Sequence, residues 1–443
     1  MSKELIKMIE SSFNIFYPKQ SSVNSDVTKF FPKEDSLIDT IAKFAETSYN
    51  AINVASQLGS KQWFYKSGVS TKDNSSVVTI GIKDCPFIID SLIMLANRLN
   101  YSIESIVHFP IFLERSSNGS VSKIYDFQSN QDNAESIILI KFSLEIDFQK
   151  FQKELESVVT CIFNTVYDWS AMKDQINNIS GSIKVPNEVE KYKTQNEIKE
   201  FLKWLIDGGF VFCGIAYLDK NNIKKNQLGI CKNDDFCHGF VKDLSLSDKK
   251  YTIEIQKSKY MSIIHRSTFF DIVKIQDFNS NLETVGEFYI YGLFTTKAYK
   301  DDVQTIPLIR TWVADTIEKT KFLPNSYNYK EFISFSNSIP RDIFLKMTSD
   351  ELFATATEYV SSKKVGQNTV FIKYDNHNLY DILICINSQV NSNIKDVLID
   401  ICRNTFHGDV FYEQLNSPDV NGIVVKICLL YTSPSPRDEN GYR

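Results

Sequence analysis

Between Val77 and Leu99 the chain changes its hydrophobic period once, and that change limits what it can fold into. VVTIGIK (77–83) is a run of β-branched and apolar residues, the mark of a buried strand. Asp84-Cys85-Pro86 then turns the chain, and Pro86 suits the start of a helix, where its missing N–H loses no partner. Phe87, Ile88, Ser91, Leu92, Leu95, Ala96 and Leu99 recur on one helical face. A long strand, Tyr101 to Arg115, follows, then a turn-rich loop, a strand from Ser136 to Ile146, and a helix from Phe148 to about Trp169. The order β-α-β-β-α predicts an α+β sandwich: a small, mostly antiparallel sheet with helices on one face.

The flanking stretches read as further modules. Residues 1–65 carry helical spacings (Ile6, Ile9, Phe13; Leu37, Ile41, Phe44), and Lys66 to Ser76 reads as a polar loop. Asn177 to Thr194 is polar with Gly and Pro punctuation, the best linker candidate. An amphipathic helix, Glu197 to Ile206, is stopped by Gly208-Gly209 and followed by the strand FVFCGIAYLD. Strands are expected at 251–256, 261–276 and 285–295, and the paired apolar residues from Met261 to Ile275 predict a strand packed on both faces. A helix from about Ile306 to Lys321 closes this module. Residues 327–363 read as mainly helical, with Pro340 starting a new element. NTVFIKYD, LYDILICI, a helix from Asn393 to Phe406, GDVFYEQL and GIVVKI form a last module. The expected organisation is a helical segment 1–70, modules at 71–176, 195–325 and 366–427, a linker at 177–194, and a helical connector at 326–365.

Composition removes several functions. Of 443 residues, 43% are apolar, so the chain can bury sizeable cores. Its net charge of −5, with both signs interspersed, offers no basic stripe, so no nucleic-acid partner is expected. Eight scattered cysteines include no CxxC, which argues against a metal site and fits a reducing cytoplasmic compartment. Cys231, Cys237 and His238 are close in sequence but too loosely spaced to read as ligands. MSKELIKMIESSF is not a signal peptide, and no apolar run approaches membrane length, so no membrane partner is expected. With only 16 glycines, about half the roughly 7% average share, the chain has no GxGxxG after any expected strand and no GxxxxGK[ST] to cradle phosphates. No GxSxG or HExxH occurs. His108 and His265 sit among apolar neighbours and read as half-buried structural histidines. Neither catalytic nor cofactor-binding nor metal-ligating residues are therefore expected.

Five segments, in order across roughly 77–427, resemble the N-terminal region of the large bacterial NAD-specific glutamate dehydrogenases. They are Asp84-Cys85-Pro86-Phe87-Ile88-Ile89-Asp90-Ser91-Leu92; Glu200-Phe201-Leu202 with Trp204-Leu205, Phe210, Phe212 and Gly214; and Lys257-Ser258 through His265-Arg266 to Asp271. The others are Tyr291-Gly292-Leu293-Phe294-Thr295 with Ala298-Tyr299 and Ile306 to Arg310, and Pro340-Arg341-Asp342 with Phe344. Met261 stands where the family's pattern has arginine, and Asn387 to Asn391 lacks its basic residues.

The resemblance implies tandem ACT-like (β-α-β-β-α-β) modules with antiparallel sheets, which commonly bind amino acids. It also implies a whole enzyme that converts L-glutamate, NAD and water to 2-oxoglutarate, ammonia and NADH, and that is homo-oligomeric at full length. The catalytic and NAD-binding domains of that enzyme lie beyond this segment, which is expected to be inactive alone, to bind no NAD, and to have the rest of the same polypeptide as its partner. An amino-acid effector would lie at Asp84, Cys85, Phe87 and Asp90, its carboxylate at the helix N-terminus and its ammonium near Asp84 or Asp90. His265, Arg266 and Arg310 are expected inter-domain or anion contacts. A free-standing amino-acid-sensing ACT regulatory protein is the alternative. From Cys428 the tail CLLYTSPSPRD back-translates to a frame of a transposon-type sequencing adapter, so 428–443 is expected to be foreign to the natural protein.

Overall fold

In a computed structural model, the structure describes residues 63–69, 75–117, 121–125, 134–186, 194–232, 244, 246, 251–375, 379–386, 392–406, 409–414, 420 and 422–428. The helical spacings expected over 1–62 and most of the expected foreign tail, 429–443, lie outside these residues. The chain divides into two compact units: Met1–Val166 with Ile263–Ser267, and Tyr167–Ser262 with Thr268–Arg443.

The first unit contains β1 (Trp63–Val69), β2 (Ser76–Lys83), α1 (Ile88–Arg98), β3 (Ile103–Arg115), β4 (Val121–Tyr125), β5 (Ala134–Phe142) and α2 (Phe148–Tyr167). Its sheet runs β1-β2-β5-β3-β4, with every neighbouring pair antiparallel. The strand–turn–helix expectation is met. The end of the expected helical stretch (63–65) and the start of the expected polar loop (66–69) are instead an edge strand, because Trp63, Phe64 and Tyr65 gain shelter by pairing with Ile82, Gly81 and Ile80. Burial of Ile80, Ile138, Ile140, Phe142, Leu92, Leu95, Phe151 and Leu155 forms the core. Phe151 meets Phe142 edge-on at 5.6 Å, so α2 is held by aromatic packing as well as by area.

The second unit opens with α3 (Trp169–Ser182) and α4 (Gln195–Trp204). The expected linker therefore begins as helix: Met172, Ile176 and Ile179 continue a buried stripe that the polar residues between them disguised. Strands β6 (Phe210–Asp219), β7 (Lys224–Gly229), β8 (Ile253–Met261), β9 (Phe269–Phe278) and β10 (Thr284–Phe294) form a sheet in the order β7-β6-β10-β9-β8. The strand expected across Met261 to Ile275 begins only at Phe269: Met261 ends β8, and residues 262–268 turn the chain between β8 and β9. Its paired apolar residues belong partly to the turn between them, where Ile263 and Ile264 are buried and His265 takes a φ of 66°.

Helices α5 (Thr296–Lys300), α6 (Ile309–Thr320), α7 (Tyr327–Ser338), α8 (Arg341–Phe344) and α9 (Ser349–Lys364) follow. A capping box, Thr348 with Glu351, starts α9. The last sheet contains β11 (Thr369–Asp375), β12 (Leu379–Cys385), β13 (Asp409–Gln414) and β14 (Gly422–Cys428), with α10 (Ser392–Phe406) between β12 and β13. One continuous apolar core runs from Met172 through Phe335 and Tyr359 to Leu383 and Val424, so the second and third sheets share it.

The order of the third sheet, β11-β12-β14-β13, repeats that of the first, β1-β2-β5-β3, with α10 in the place of α1. In both sheets a strand precedes the β-α-β-β set and pairs at its edge, an arrangement that the expected β-α-β-β-α-β order does not contain. The middle sheet follows a different order.

Candidate functional site

The turn joining β2 to α1 carries the expected effector residues. Phe87 starts α1 with φ 77° and no side-chain cap, so Asp84, although acidic and nearby, does not cap the helix. A non-glycine residue in the left-handed region is costly, and it persists only where the surroundings fix it. Two contacts do so here. Ser91 Oγ donates to the Phe87 carbonyl at 2.6 Å, and the Phe87 ring packs on the His265 ring with centroids 5.0 Å apart.

Asp84 faces the sheet. Ser136 Oγ donates to Asp84 Oδ1 at 2.5 Å and lies 2.7 Å from His108 Nε2. The serine has one proton and directs it at Asp84, so the second bond must run from His108 Nε2–H to Ser136 Oγ. Burial holds His108 below its ordinary pKa, with Asp84 pulling the other way. Beside them, burial and then the Asp84 charge push the Cys85 thiol up to about 12, so it is a poor nucleophile.

Residues Ile263–Ser267 belong to the first unit, and they bring a second sequence motif to this turn. His265 N donates to Ser91 Oγ at 3.2 Å across 174 residues of sequence. Its Nδ1 is buried without a hydrogen-bond partner and lies 3.9 Å from Asp90 Oδ2. Burial, and then the Arg266 guanidinium, lower the His265 pKa against a weaker pull from Asp90. Ser91 accepts one hydrogen bond and donates the other, so this small buried hydroxyl joins turn to loop. Of the residues singled out in the sequence, Phe87, Asp90 and His265 thus converge. Asp84 joins His108 and Ser136, and Cys85 stands half-buried between them.

Arg310 lies elsewhere, on α6 in the second unit. Its Nε reaches Glu197 Oε1 and Oε2 at 3.1 and 3.2 Å, its Nη2 reaches Glu197 Oε1 at 2.6 Å, and Nη2 also bonds Glu200. That fork raises the arginine's pKa, with the Glu197 bond first among the causes. Met261 ends β8, and Asn387 to Asn391 lies outside the described residues.

The sequence reading missed a buried charge cluster in the second unit. Lys257, Lys346 and Lys426 alternate with Asp271, Asp342 and Asp381, all six side chains between 1% and 7% exposed. Lys257 Nζ stands 2.7 Å from Asp271 and 3.4 Å from Asp342; Lys426 bonds Asp342 and stands 4.0 Å from Asp381; Lys346 reaches Asp381 at 2.6 Å. Burial opposes ionisation of Asp342, but Lys257, Lys426 and Lys346 outweigh it and hold its carboxyl well below the usual range. Burial lifts Asp271 instead, Lys257 only partly countering it and Asp342 adding to the lift. One signal was available: Lys257 falls on the inward alternation of Ile253 and Ile255, where an apolar residue belongs.

Next to Asp342, Arg341 is 1% exposed and donates to the carbonyls of Ile339, Ala298, Tyr299 and Asp301, closing the C-terminal end of α5. Burial lowers it to about 10. Both halves of the Arg341-Asp342 pair are thereby committed to structure.

Among the described residues no group of three His, Cys, Asp or Glu side chains is placed to hold a metal ion, and Cys237 and His238 lie outside them. No described helix is long and apolar enough to cross a membrane. The chain matches the family model of the glutamate dehydrogenase ACT1 domain over residues 64–159, and that of glutamate dehydrogenase helical motif 1 over 306–363. It is 26% identical over 327 residues to an NAD-specific glutamate dehydrogenase of Pseudomonas aeruginosa, covering 66% of this chain and 19% of that protein. It is 22% identical over 318 residues to the Halomonas elongata protein of the same name, covering 66% and 20%. The chain spans about a fifth of the length of these relatives. The ACT1 match encloses the Phe87 turn with its Asp84–Ser136–His108 neighbour, the helical-motif match encloses Arg310 and Arg341, and by these marks the chain is similar to the large NAD-specific glutamate dehydrogenases.

Proposed function

We propose that this chain is the N-terminal regulatory part of an NAD-dependent glutamate dehydrogenase. In the whole protein, L-glutamate, NAD and water would give 2-oxoglutarate, ammonia and NADH in domains outside this segment, which would itself bind an amino-acid effector and no NAD. The first and third sheets, alike in strand order, would be tandem ACT-like modules. The full-length protein would be a cytoplasmic homo-oligomer.

One observation supports this best. Within the ACT1 match, α1 begins at Phe87 with no side-chain cap, beside an exposed acid and a loop that carries His265. Backbone N–H groups at such an end favour an effector carboxylate, and Asp84 or Asp90 would take its ammonium. The glycine-poor sequence supports the non-catalytic half of the proposal, since it offers no dinucleotide cradle.

Titration calorimetry of the purified chain against the common L-amino acids tests the effector. Heat with one of them, weakened in Asp84→Ala, is expected; silence with all of them overturns effector binding. NAD-dependent glutamate oxidation by this chain alone would overturn the non-catalytic assignment.

A further inference from the structure

The second and third sheets each bury one cross-strand pair of a lysine and an aspartate. Lys257 of β8 stands opposite Asp271 of β9, and Lys426 of β14 stands opposite Asp381 of β12. Asp342 lies on α8, outside both sheets, and touches a lysine of each. It stands 3.4 Å from Lys257 Nζ and accepts from Lys426 Nζ. Its place is held from the other side, because the neighbouring Arg341 donates to the carbonyls of Ala298, Tyr299 and Asp301. A shift of either lysine therefore unbalances a buried carboxylate whose backbone is anchored.

Stability alone does not account for this arrangement. Apolar residues of similar volume often match or exceed a buried ion pair, and the core shared by the two sheets is otherwise apolar and continuous. Charges add direction: a carboxylate that must satisfy two ammonium groups fixes the strands that carry them, where apolar packing tolerates repacking. The second-sheet pair also stands at a branch point. Asp271 is the last residue of β9 in register with β10, and beyond it β8 and β9 run on together to the turn that carries His265. A movement of that ribbon reaches Lys257 and Asp271 before the rest of the sheet.

We propose that Asp342 is a positioning residue that couples the second sheet to the third, so that a displacement of Lys257 at the root of the ribbon loosens the hold on Lys426 and with it β12 and β14. That an effector at the Phe87 turn starts the movement rests on the reading proposed above; the coupling itself does not.

Amide hydrogen exchange in this chain tests the coupling, with Lys257→Met as the perturbation. The variant should speed exchange at Val425 and Ile427 of β14 roughly tenfold more than at Ile215 and Ala216 of β6, although β6 shares a sheet with Lys257 and β14 does not. Equal speeding in the two strands means that Lys257→Met only loosens the fold as a whole, and no speeding in β14 means that the two Lys–Asp pairs are independent; both results overturn the proposal. The same perturbation is then made in Asp342→Asn, where the excess in β14 should vanish. Lys426→Met cuts the other arm of the contact and should abolish the excess as well, so it decides the matter if Asp342→Asn does not fold. An excess that survives either cut runs through the shared core and overturns the part given to Asp342. No ligand is used, so failure here leaves the effector reading, which calorimetry measures, where it stands.

Discussion

Replacing Asp342 with Asn tests whether the buried Lys–Asp cluster is ionised as its geometry implies. Three lysines face three aspartates, so the cluster is neutral in sum, and the substitution leaves one positive charge uncompensated among side chains at most 7% exposed. At an effective dielectric of about 20, charges 3.4 Å apart, as between Lys257 and Asp342, attract by about 5 kcal/mol. Lys257 keeps Asp271 at 2.7 Å, and Lys426 keeps Asp381 at 4.0 Å, which softens the loss. Breaking a buried pair on one side typically costs about 3–5 kcal/mol, and we expect about 3. Urea unfolding followed by tryptophan fluorescence suits this unit, because Trp312 is 3% exposed and stacks on Phe344 at 6.4 Å. With a slope of about 3 kcal/mol/M, the midpoint should fall by about 1 M. Adding Lys426→Met to Asp342→Asn removes the surplus charge and should recover most of the loss. A single-mutant shift no larger than that of breaking the exposed Arg403–Asp400 pair would refute an ionised, load-sharing cluster.

Histidine titration supplies a second prediction. His265 and His108 both have lowered pKa values, so their contribution to stability is complete above the ordinary value of about 6.5 and is lost as pH falls through the lowered ones. Melting of the first unit should therefore drop from pH 7 towards pH 5, with a shallower slope in His265→Asn; an identical slope would exclude His265. Asp271 titrates with the opposite sign: its raised pKa favours the fold below about pH 4 and loses that contribution as pH rises through the folded value. Cys85, pushed up to about 12, should react with iodoacetamide at pH 8 far more slowly than a free peptide thiol, and comparable rates would contradict its burial. Gly229→Ala should destabilise the second unit by more than about 1 kcal/mol, since φ is 61° and an added Cβ would lie 2.1 Å from the Cys213 carbonyl oxygen. Its urea midpoint would show this.

Much of the fold was legible because its strands are regular. FVFCGIAYLD is β6 residue for residue, and the strands and helix of the third sheet fall where alternation and helical spacing put them. The turn at 262–268 was not legible, because Ile263 and Ile264 bury as strand residues do while the backbone reverses. The charge cluster escaped for a related reason: Lys257, Asp381 and Lys426 occupy inward positions of strands, where polarity normally marks the outer face. At the candidate site, the turn was visible as Asp84-Cys85-Pro86. Its neighbours were not, for Ser136 and His265 are brought there by pairings 52 and 174 residues long, which no local pattern encodes.

The length of that second pairing bears on how the protein is made. α2 closes the contiguous part of the first unit at Val166, but the ring that packs on Phe87 belongs to residue 265. At a synthesis rate of about 5–20 residues per second, roughly 9–36 s separate the emergence of Phe87 from that of His265. Closing a loop of that length is also entropically unfavourable compared with forming a hairpin. The Phe87 turn should therefore be among the last parts of its unit to settle, with its left-handed backbone unsupported until the chain has grown well into the next sheet. A ribosome-bound chain arrested before residue 263 should show native exchange protection in β2 and β5 and none at Ser91.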